Sequence, residues 1–184
     1  KDLLTTTSFH MEVSTVTVLE TAKKMIDYSH GNLHDINHFM KVYAYAKMIA
    51  DGEQLDPDTQ KLVEMTALVH DIACPLCRVK YGNTNGKNQE KESAALIAEF
   101  FKDSNLPQDF TDRISFLVSH HHTLDQIDGI DYQIIIEADY LVNADESHFS
   151  GHNIKNMYDK IFKTETGKFL LRSMYQNCLE NETL

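Results

Sequence analysis

The sequence predicts an all-α protein, a compact bundle of roughly eight helices, because apolar residues recur at helical spacing along most of the chain. Only three prolines and seven glycines interrupt this pattern. No repeat, low-complexity segment or interdomain linker divides it, so we expect residues 1–184 to form a single domain.

The helical segments are bounded by capping residues and prolines. Asp35 can cap the second helix, and Pro57 suits the first turn of the third, which Pro75 ends. YQIII at 132–136 has the composition of a strand, but the periodicity after it favours a helix. The predicted helices cover about 12–29, 35–51, 57–73, 90–103, 109–122, 131–145, 153–163 and 167–180.

The segment PLCRVKYGNTNGKNQ, residues 75–89, is predicted to form a long loop because glycine and asparagine occur in it as often as in turns. Residues 78–91 carry a net charge of +3 within a chain of net charge −11. Gly82 and Gly86 would allow the backbone to approach a ligand closely. We interpret the loop as a phosphate-binding lid, with a solvated surface loop as the alternative. Its candidate substrate-binding residues are Arg78, Lys80 and Lys87.

Composition and charge exclude several classes of function. An acidic chain repels phosphate backbones, so general nucleic-acid binding is not expected. No apolar run approaches the roughly 20 residues that cross a bilayer, so no membrane association is expected. Three cysteines do not form a disulfide framework, which favours a reducing compartment and a cytoplasmic location.

Several histidine and aspartate side chains fall where the helical pattern predicts burial. His38, for example, shares a helix face with Val42 and Ile49. A hydrogen-bonded core residue is the ordinary explanation for each one alone, but one divalent cation would satisfy several together. The residues in question are His38, His70, Asp71, His121 and Asp139.

The order of these residues follows a known pattern. Three segments carry it: DINHFMKV with His38, ALVHDI with His70 and Asp71, and IEADYLVN with Asp139. The intervals are 32 residues between the two histidines and 68 between the two aspartates. Over about 30–146 the chain thereby resembles the HD-domain superfamily of metal-dependent phosphohydrolases. A second HD dipeptide, His34-Asp35, is interpreted as coincidental.

The resemblance implies an all-α fold and one divalent cation, which would be Mn, Fe, Co, Ni, Mg or Zn. It also implies hydrolysis of a phosphoester of a small phosphorylated molecule, with nucleotides as the leading substrate class. Such an ion acidifies a bound water and offsets phosphoryl charge. The implied ligands are His38, His70, Asp71 and Asp139.

The chain departs from parts of the family pattern. Some members carry a further histidine for a second metal where this chain has Gln89, although the run His120-His121-His122 could supply one extra ligand. A helix C-terminus that favours imidazolium is the alternative for that run. Two other functions stay open, namely an HD-like di-iron oxygenase and a non-catalytic metal-containing ligand-binding module.

Catalytic groups are assigned with the same resemblance in view. Some nucleotidase members place a glutamate three residues after the HD aspartate, and this chain has Cys74 there. Asp71 would orient the attacking water, and His121 or Glu90 would transfer a proton. His120 is assigned to substrate binding.

Cys74 and Cys77 form a CxxC pair directly after the HD dipeptide. A structural zinc site needs four ligands, and no second CxxC is present. A thioredoxin-like role would need a βαβ context. Local packing is therefore the favoured interpretation.

Overall fold

The structure is a computed structural model that describes residues 15–180. It confirms the all-α fold, with ten helices and no strand in this part of the chain. In chain order the helices are α1 (Val18–Tyr28), α2 (Leu33–Gly52), α3 (Pro57–Val69), α4 (Cys74–Tyr81), α5 (Gly86–Phe101), α6 (Gln108–His120), α7 (Ile130–Glu146), α8 (Gly151–Lys160), α9 (Glu165–Met174) and α10 (Gln176–Glu180).

The long loop predicted over residues 75–89 is wrong, because α4 occupies half of it. Pro75 ends the preceding helical pattern, but proline is also compatible with a first helical turn and lies at the start of α4. Gly82 ends α4 in the left-handed conformation, with φ of 68°, and α5 begins at Gly86. Four residues, 82–85, separate the two helices, so the segment does not form an extended lid.

Helix α7 runs through the interior of the protein. Thirteen of its 17 residues are buried. A helix that contacts protein on every side carries apolar residues around its whole circumference. This explains the strand-like composition of 132–136 and confirms the prediction of a helix there.

Two apolar clusters hold the helices together, and α3 and α7 contribute to both. Val63 and Ile135 belong to the first cluster, together with residues of α2, α8 and α9. Leu68 and Ile136 belong to the second, with residues of α1, α5 and α6. Because α2, α3 and α7 pack on one another, polar side chains on their facing surfaces are brought together.

The C-terminal helices are attached to α7 by a buried carboxylate. Glu137 Oε1 accepts hydrogen bonds from the backbone N–H of Lys163 (2.6 Å) and Thr164 (3.0 Å) and from Gln133 Nε2 (2.7 Å). The Thr164 hydroxyl donates to Glu137 Oε2, and Thr164 is the N-cap of α9. Glu137 therefore fixes the start of α9 against the centre of the fold.

Several predicted boundaries differ from those in the structure. The helix predicted over 167–180 is divided into α9 and α10. The helix predicted over 57–73 ends at Val69, and the one predicted from 90 begins at Gly86. The first predicted helix begins at about 12, whereas α1 begins at Val18; residues 12–14 lie outside the described residues. Across the described chain, no helix is both long enough and apolar enough to cross a bilayer.

Candidate metal centre

The four predicted metal ligands come from four different parts of the fold and lie close together. His38 lies in the second turn of α2, and His70 directly follows α3. Asp71 lies in the turn between α3 and α4, and Asp139 lies in the middle of α7. We call these four residues the His/Asp cluster. His38, His70 and Asp139 are buried, and the Asp71 side chain is 24% exposed.

The Nε2 atom of each imidazole in the His/Asp cluster lies within 3.6 Å of the other imidazole and of both carboxylates. His38 Nε2 lies 3.2 Å from His70 Nε2, 3.3 Å from Asp139 Oδ1 and 3.5 Å from Asp71 Oδ2. His70 Nε2 lies 3.4 Å from Asp139 Oδ1 and 3.6 Å from Asp71 Oδ2.

Both imidazoles of the His/Asp cluster use Nδ1 for a hydrogen bond away from the cluster, so that Nε2 faces the cluster. His38 Nδ1–H donates to Glu146 Oε2 at 2.8 Å, and His70 Nδ1–H donates to the Ala67 carbonyl at 2.8 Å. Both Nε2 atoms therefore face the cluster, 3.2 Å apart and beside two carboxylates, where each can bind a proton or a metal ion. Only a positive charge between these groups makes such an arrangement favourable.

A single divalent ion fits the His/Asp cluster. Nitrogen and oxygen ligands bind such ions at about 2.0–2.2 Å, which places neighbouring ligand atoms about 3.0–3.6 Å apart. Two carboxylates offset a charge of +2, and neutral imidazoles complete the ligand set. Mixed nitrogen and oxygen ligands suit several divalent metals.

The electrostatics of the His/Asp cluster favour ionised carboxylates. Burial opposes the ionisation of Asp71 and Asp139, yet the neighbouring imidazoles hold the pKa of both carboxyl groups well below the usual range. Burial alone would lower the pKa of His38, but the hydrogen bond to Asp139, the charge of Asp71 and the bond to Glu146 raise it to about 9. The cluster thus attracts positive charge, either as protons or as a metal.

His121 extends the His/Asp cluster on the Asp71 side. Its Nδ1–H donates to the Val118 carbonyl at 2.8 Å. Its Nε2 is buried without a hydrogen-bond partner among the described residues and lies 3.6 Å from Asp71 Oδ1. A buried nitrogen left unpaired beside a carboxylate is available for proton transfer or metal binding.

His122 and Gln89 complete this side of the site. Ligand atoms of Asp71, His121 and His122 lie within 4.8 Å of one another, so they form a second possible metal group. Although His122 reaches the surface, desolvation by its neighbours and repulsion from His121 lower its pKa to about 4. The Gln89 side chain donates to the Thr84 carbonyl at 3.0 Å, while its buried oxygen has no described partner.

Gly86 permits the close packing of His122. A Cβ atom at Gly86 would lie 2.8 Å from His122 Cδ2. From the sequence, Gly82 and Gly86 were expected to allow the approach of a ligand. At Gly86 it is the imidazole of His122 that approaches the backbone.

Glu90 and His120 occupy different environments. Glu90 Oε1 accepts a hydrogen bond of 3.1 Å from the hydroxyl of Thr123, which follows the histidine run. His120 stacks on Phe116 with ring centroids 4.3 Å apart, and its Nδ1–H donates to the Phe116 carbonyl at 2.7 Å. The catalytic and substrate-binding roles assigned to these residues stay predictions.

Two of the three predicted phosphate-binding cations have acidic partners. Arg78 forms a two-pronged ion pair with Asp35 in the first turn of α2. Lys80 Nζ lies 2.7 Å from Glu92 Oε1. Lys87 is exposed, and the described residues offer it no ion-pair partner. It is therefore the cation with most freedom to reach a phosphate.

The CxxC pair lies at the start of α4. Cys74 and Cys77 are buried free thiols. Burial raises the pKa of both thiols. Neutral thiols are poor metal ligands and poor nucleophiles, which supports the packing interpretation.

Glu146 and Asn143 were missed by the sequence analysis. Glu146 accepts from His38, as above, and Asn143 Nδ2 donates to Asp139 Oδ1 at 2.8 Å. Asn143 follows Asp139 on α7 by four residues and Glu146 by seven, so both lie on the same face of the helix as Asp139. That spacing was the available signal.

Two cavities of the protein could accept a substrate. The larger, of about 560 Å³, lies where α3 and α6 begin, and none of the predicted ligands lines it. The smaller, of about 260 Å³, is bordered by Asp139, His121 and His122. We call it the Asp139 pocket. Its contact with the His/Asp cluster makes it the candidate substrate site despite its smaller size.

Comparison with known families agrees with this geometry. The family model described as HD domain matches residues 35–145, which is more than half of the chain and includes the whole His/Asp cluster. The chain belongs to the HD-domain family. This membership supports a metal-dependent hydrolase family, and the matched range contains His70 and Asp71.

Solved structures share the HD-domain fold. A predicted HD superfamily hydrolase from an uncultured Thermotogales bacterium is 20% identical, with a TM-score of 0.60, over 89% of this chain and 86% of that one. Bacillus subtilis YpgQ in complex with ADP is 19% identical, with a TM-score of 0.63, over 90% and 93% of the two chains. The selenomethionine form of Bacillus subtilis YpgQ is 18% identical, with a TM-score of 0.60, over 90% of this chain and 92% of that one. No curated protein matches the chain.

Proposed function

We propose that this HD domain is a metal-dependent phosphohydrolase that cleaves a phosphoester of a small phosphorylated molecule, with a nucleotide as the leading substrate. The observation that carries the proposal is the position of two imidazole Nε2 atoms, 3.2 Å apart and within 3.6 Å of the carboxylates of Asp71 and Asp139. The proposed ligands of the cation are His38, His70, Asp71 and Asp139. When bound, the ion acidifies a water molecule and offsets phosphoryl charge.

The side chains around the His/Asp cluster supply the remaining chemistry. Asp71 has one oxygen toward His38 and His70 and the other toward His121, so it can orient the attacking water. The unpaired Nε2 of His121 is suited to proton transfer to the leaving oxygen, and Glu90 is the alternative donor. The water oxygen forms a bond to phosphorus and releases a proton to solvent, the bond from phosphorus to the organic oxygen breaks, and that oxygen takes up a proton from His121 or Glu90.

Two observations support a phosphorylated substrate. YpgQ, which shares the fold, binds ADP. In this chain Lys87 is an exposed cation without a described acidic partner, and Arg78, Lys80 and His120 complete the predicted substrate-binding set. A cytoplasmic location remains part of the proposal, together with the absence of general nucleic-acid and membrane binding.

Metal content is the first test. Elemental analysis of protein purified without chelators should give about one divalent ion per chain in the wild type. The ion should be lost in His38→Ala and Asp71→Asn. His34→Ala is the matched control, because His34 belongs to the other HD dipeptide and its side chain is 77% exposed. Absence of metal from the wild type, even after soaking with Mn²⁺ or Ni²⁺, would overturn the proposal.

Activity on a panel of phosphoesters is the second test. The Mn²⁺-loaded wild type should release phosphate or a shorter phosphoester from at least one nucleotide, and Asp71→Asn should not. Two iron atoms per chain without phosphoester turnover would favour the oxygenase, and the group of Asp71, His121 and His122 would then hold the second iron. One ion without turnover on the whole panel would favour the ligand-binding module.

A further inference from the structure

We infer that the Asp139 pocket binds the uncharged organic part of the substrate, and that this part has the chemistry of a nucleoside. This inference rests on the proposed function, since it assigns the phosphoryl group to the neighbouring His/Asp cluster. It adds the specificity-determining residues, namely Tyr140, Asn143, Phe149 and Asn153.

The lining of the Asp139 pocket offers no lysine or arginine to an anionic group. His121, His122 and Asp139 border the pocket where it meets the His/Asp cluster, and no lysine or arginine lines any part of it. A phosphate chain in the pocket would have no cation to offset its charge. The group that enters the pocket is therefore not an anion, and the phosphoryl group stays at the cluster.

The walls of the Asp139 pocket are largely aromatic and apolar. Phe149 and Tyr140 lie side by side with ring centroids 5.5 Å apart, and Leu124, Ile136 and Met157 extend the apolar surface. The cavity of about 260 Å³ is slightly smaller than the roughly 300–1,000 Å³ of pockets for drug-sized ligands. A flat ring with a small substituent suits this space and can contact the aromatic side chains.

The side-chain amides of Asn143 and Asn153 are oriented by hydrogen bonds within the protein. Asn143 Nδ2 donates to Asp139 Oδ1 at 2.8 Å, which leaves Asn143 Oδ1 as an acceptor for a ligand. Asn153 Oδ1 accepts from the Tyr140 hydroxyl at 2.6 Å, which leaves Asn153 Nδ2 as a donor. One oriented acceptor and one oriented donor complement the edge of a heterocyclic base, which presents both kinds of group.

The position of Asn143 connects recognition with the metal site. The Asn143 amide donates to Asp139, a proposed metal ligand, and Asn143 also lines the pocket. A substrate whose organic part bonds to Asn143 would thus have its phosphoryl group beside Asp139. This geometry favours a phosphoester in which the phosphate is attached directly to the nucleoside.

Binding of nucleosides that carry no phosphate tests the inference without turnover. Adenosine, guanosine, cytidine and uridine are titrated into the Mn²⁺-loaded protein by calorimetry, with ribose and glycerol phosphate as comparison ligands. At least one nucleoside should bind at least tenfold more tightly than ribose. Asn153→Ala and Phe149→Leu should weaken its binding by about fivefold or more.

Matched controls come from the same region of the chain. Asn156→Ala changes the same residue type on α8, and Phe169→Leu changes an exposed phenylalanine on α9. Neither residue lines the pocket, so neither variant should alter nucleoside binding. Circular dichroism and metal content establish that all four variants are folded and loaded.

The outcomes separate this inference from the proposed function. Nucleoside binding that the pocket variants weaken supports the inference, even if no phosphoester is cleaved and the proposed function fails. If phosphoesters are cleaved but ribose binds as tightly as any nucleoside, the inference is overturned and the proposed function stands. The inference is also overturned if the pocket variants lower kcat/KM for a nucleoside monophosphate and for glycerol phosphate by the same factor.

Discussion

His38 Nδ1 donates a hydrogen bond of 2.8 Å to Glu146 Oε2, and this bond joins α2 to the last residue of α7. The other oxygen of Glu146 lies 2.9 Å from Lys41 Nζ. His70 and His121, by contrast, donate to backbone carbonyls. His38 is therefore the one member of these three histidines whose Nδ1–H donates to a carboxylate.

Glu146→Ala should weaken metal binding about 10- to 100-fold, because a carboxylate behind a ligating imidazole fixes its tautomer and raises its basicity. Glu146→Gln keeps an acceptor for His38 Nδ1–H. Its metal affinity should therefore lie between those of the wild type and the alanine variant. Competition with a chelator of known affinity for Mn²⁺ measures the effect. Asp145→Asn is the control, since Asp145 is the exposed neighbour on α7. Equal affinities in all four proteins would refute a positioning role for Glu146.

His121→Gln should lower kcat for a phosphoester by about 10²–10⁴-fold, the range for a lost proton-transfer group. The buried, unpaired Nε2 beside Asp71 is the reason for this expectation. His120→Gln is the comparison, because His120 stacks on Phe116 and should mainly affect KM. Both variants are assayed after metal content has been checked. A larger loss of kcat in His120→Gln than in His121→Gln would reverse the two assignments.

Gly86→Ala should reduce kcat/KM by about tenfold or more, because its Cβ would meet the His122 ring at 2.8 Å and displace it from the site. Gly82→Ala provides the contrast. Gly82 has φ of 68° and open space around it, so alanine there should lower the free energy of unfolding by about 1–2 kcal/mol and leave catalysis intact. Steady-state kinetics and urea denaturation on both variants distinguish the two effects.

Glu137→Gln should lower the free energy of unfolding by about 1.5–3 kcal/mol, because the four donors around the buried carboxylate would meet an amide that itself donates. Urea denaturation measures the change. Glu165→Gln, at an exposed position in the first turn of α9, should alter stability much less. A stability equal to that of the wild type would show that α9 does not depend on Glu137.

The sequence by itself determined the helical class and pointed to the four residues that we propose as metal ligands. Helical periodicity is local, so the elements around His38 and Asp139 could be predicted from spacing alone. The same spacing placed His121 on a buried stripe, where the structure has it. The order of His38, His70, Asp71 and Asp139 resembled the HD-domain family because these residue types are what a divalent ion binds.

Tertiary structure decided the rest, because it depends on contacts between residues far apart in the chain. Local glycine and asparagine content made 75–89 look like a loop, whereas the packing of α4 on α5 makes half of it a helix. Glu146 lies 108 residues from His38, and only the packing of α7 on α2 shows that they are partners. Arg78 and Lys80, predicted to bind phosphate, have acidic partners on α2 and α5 for the same reason.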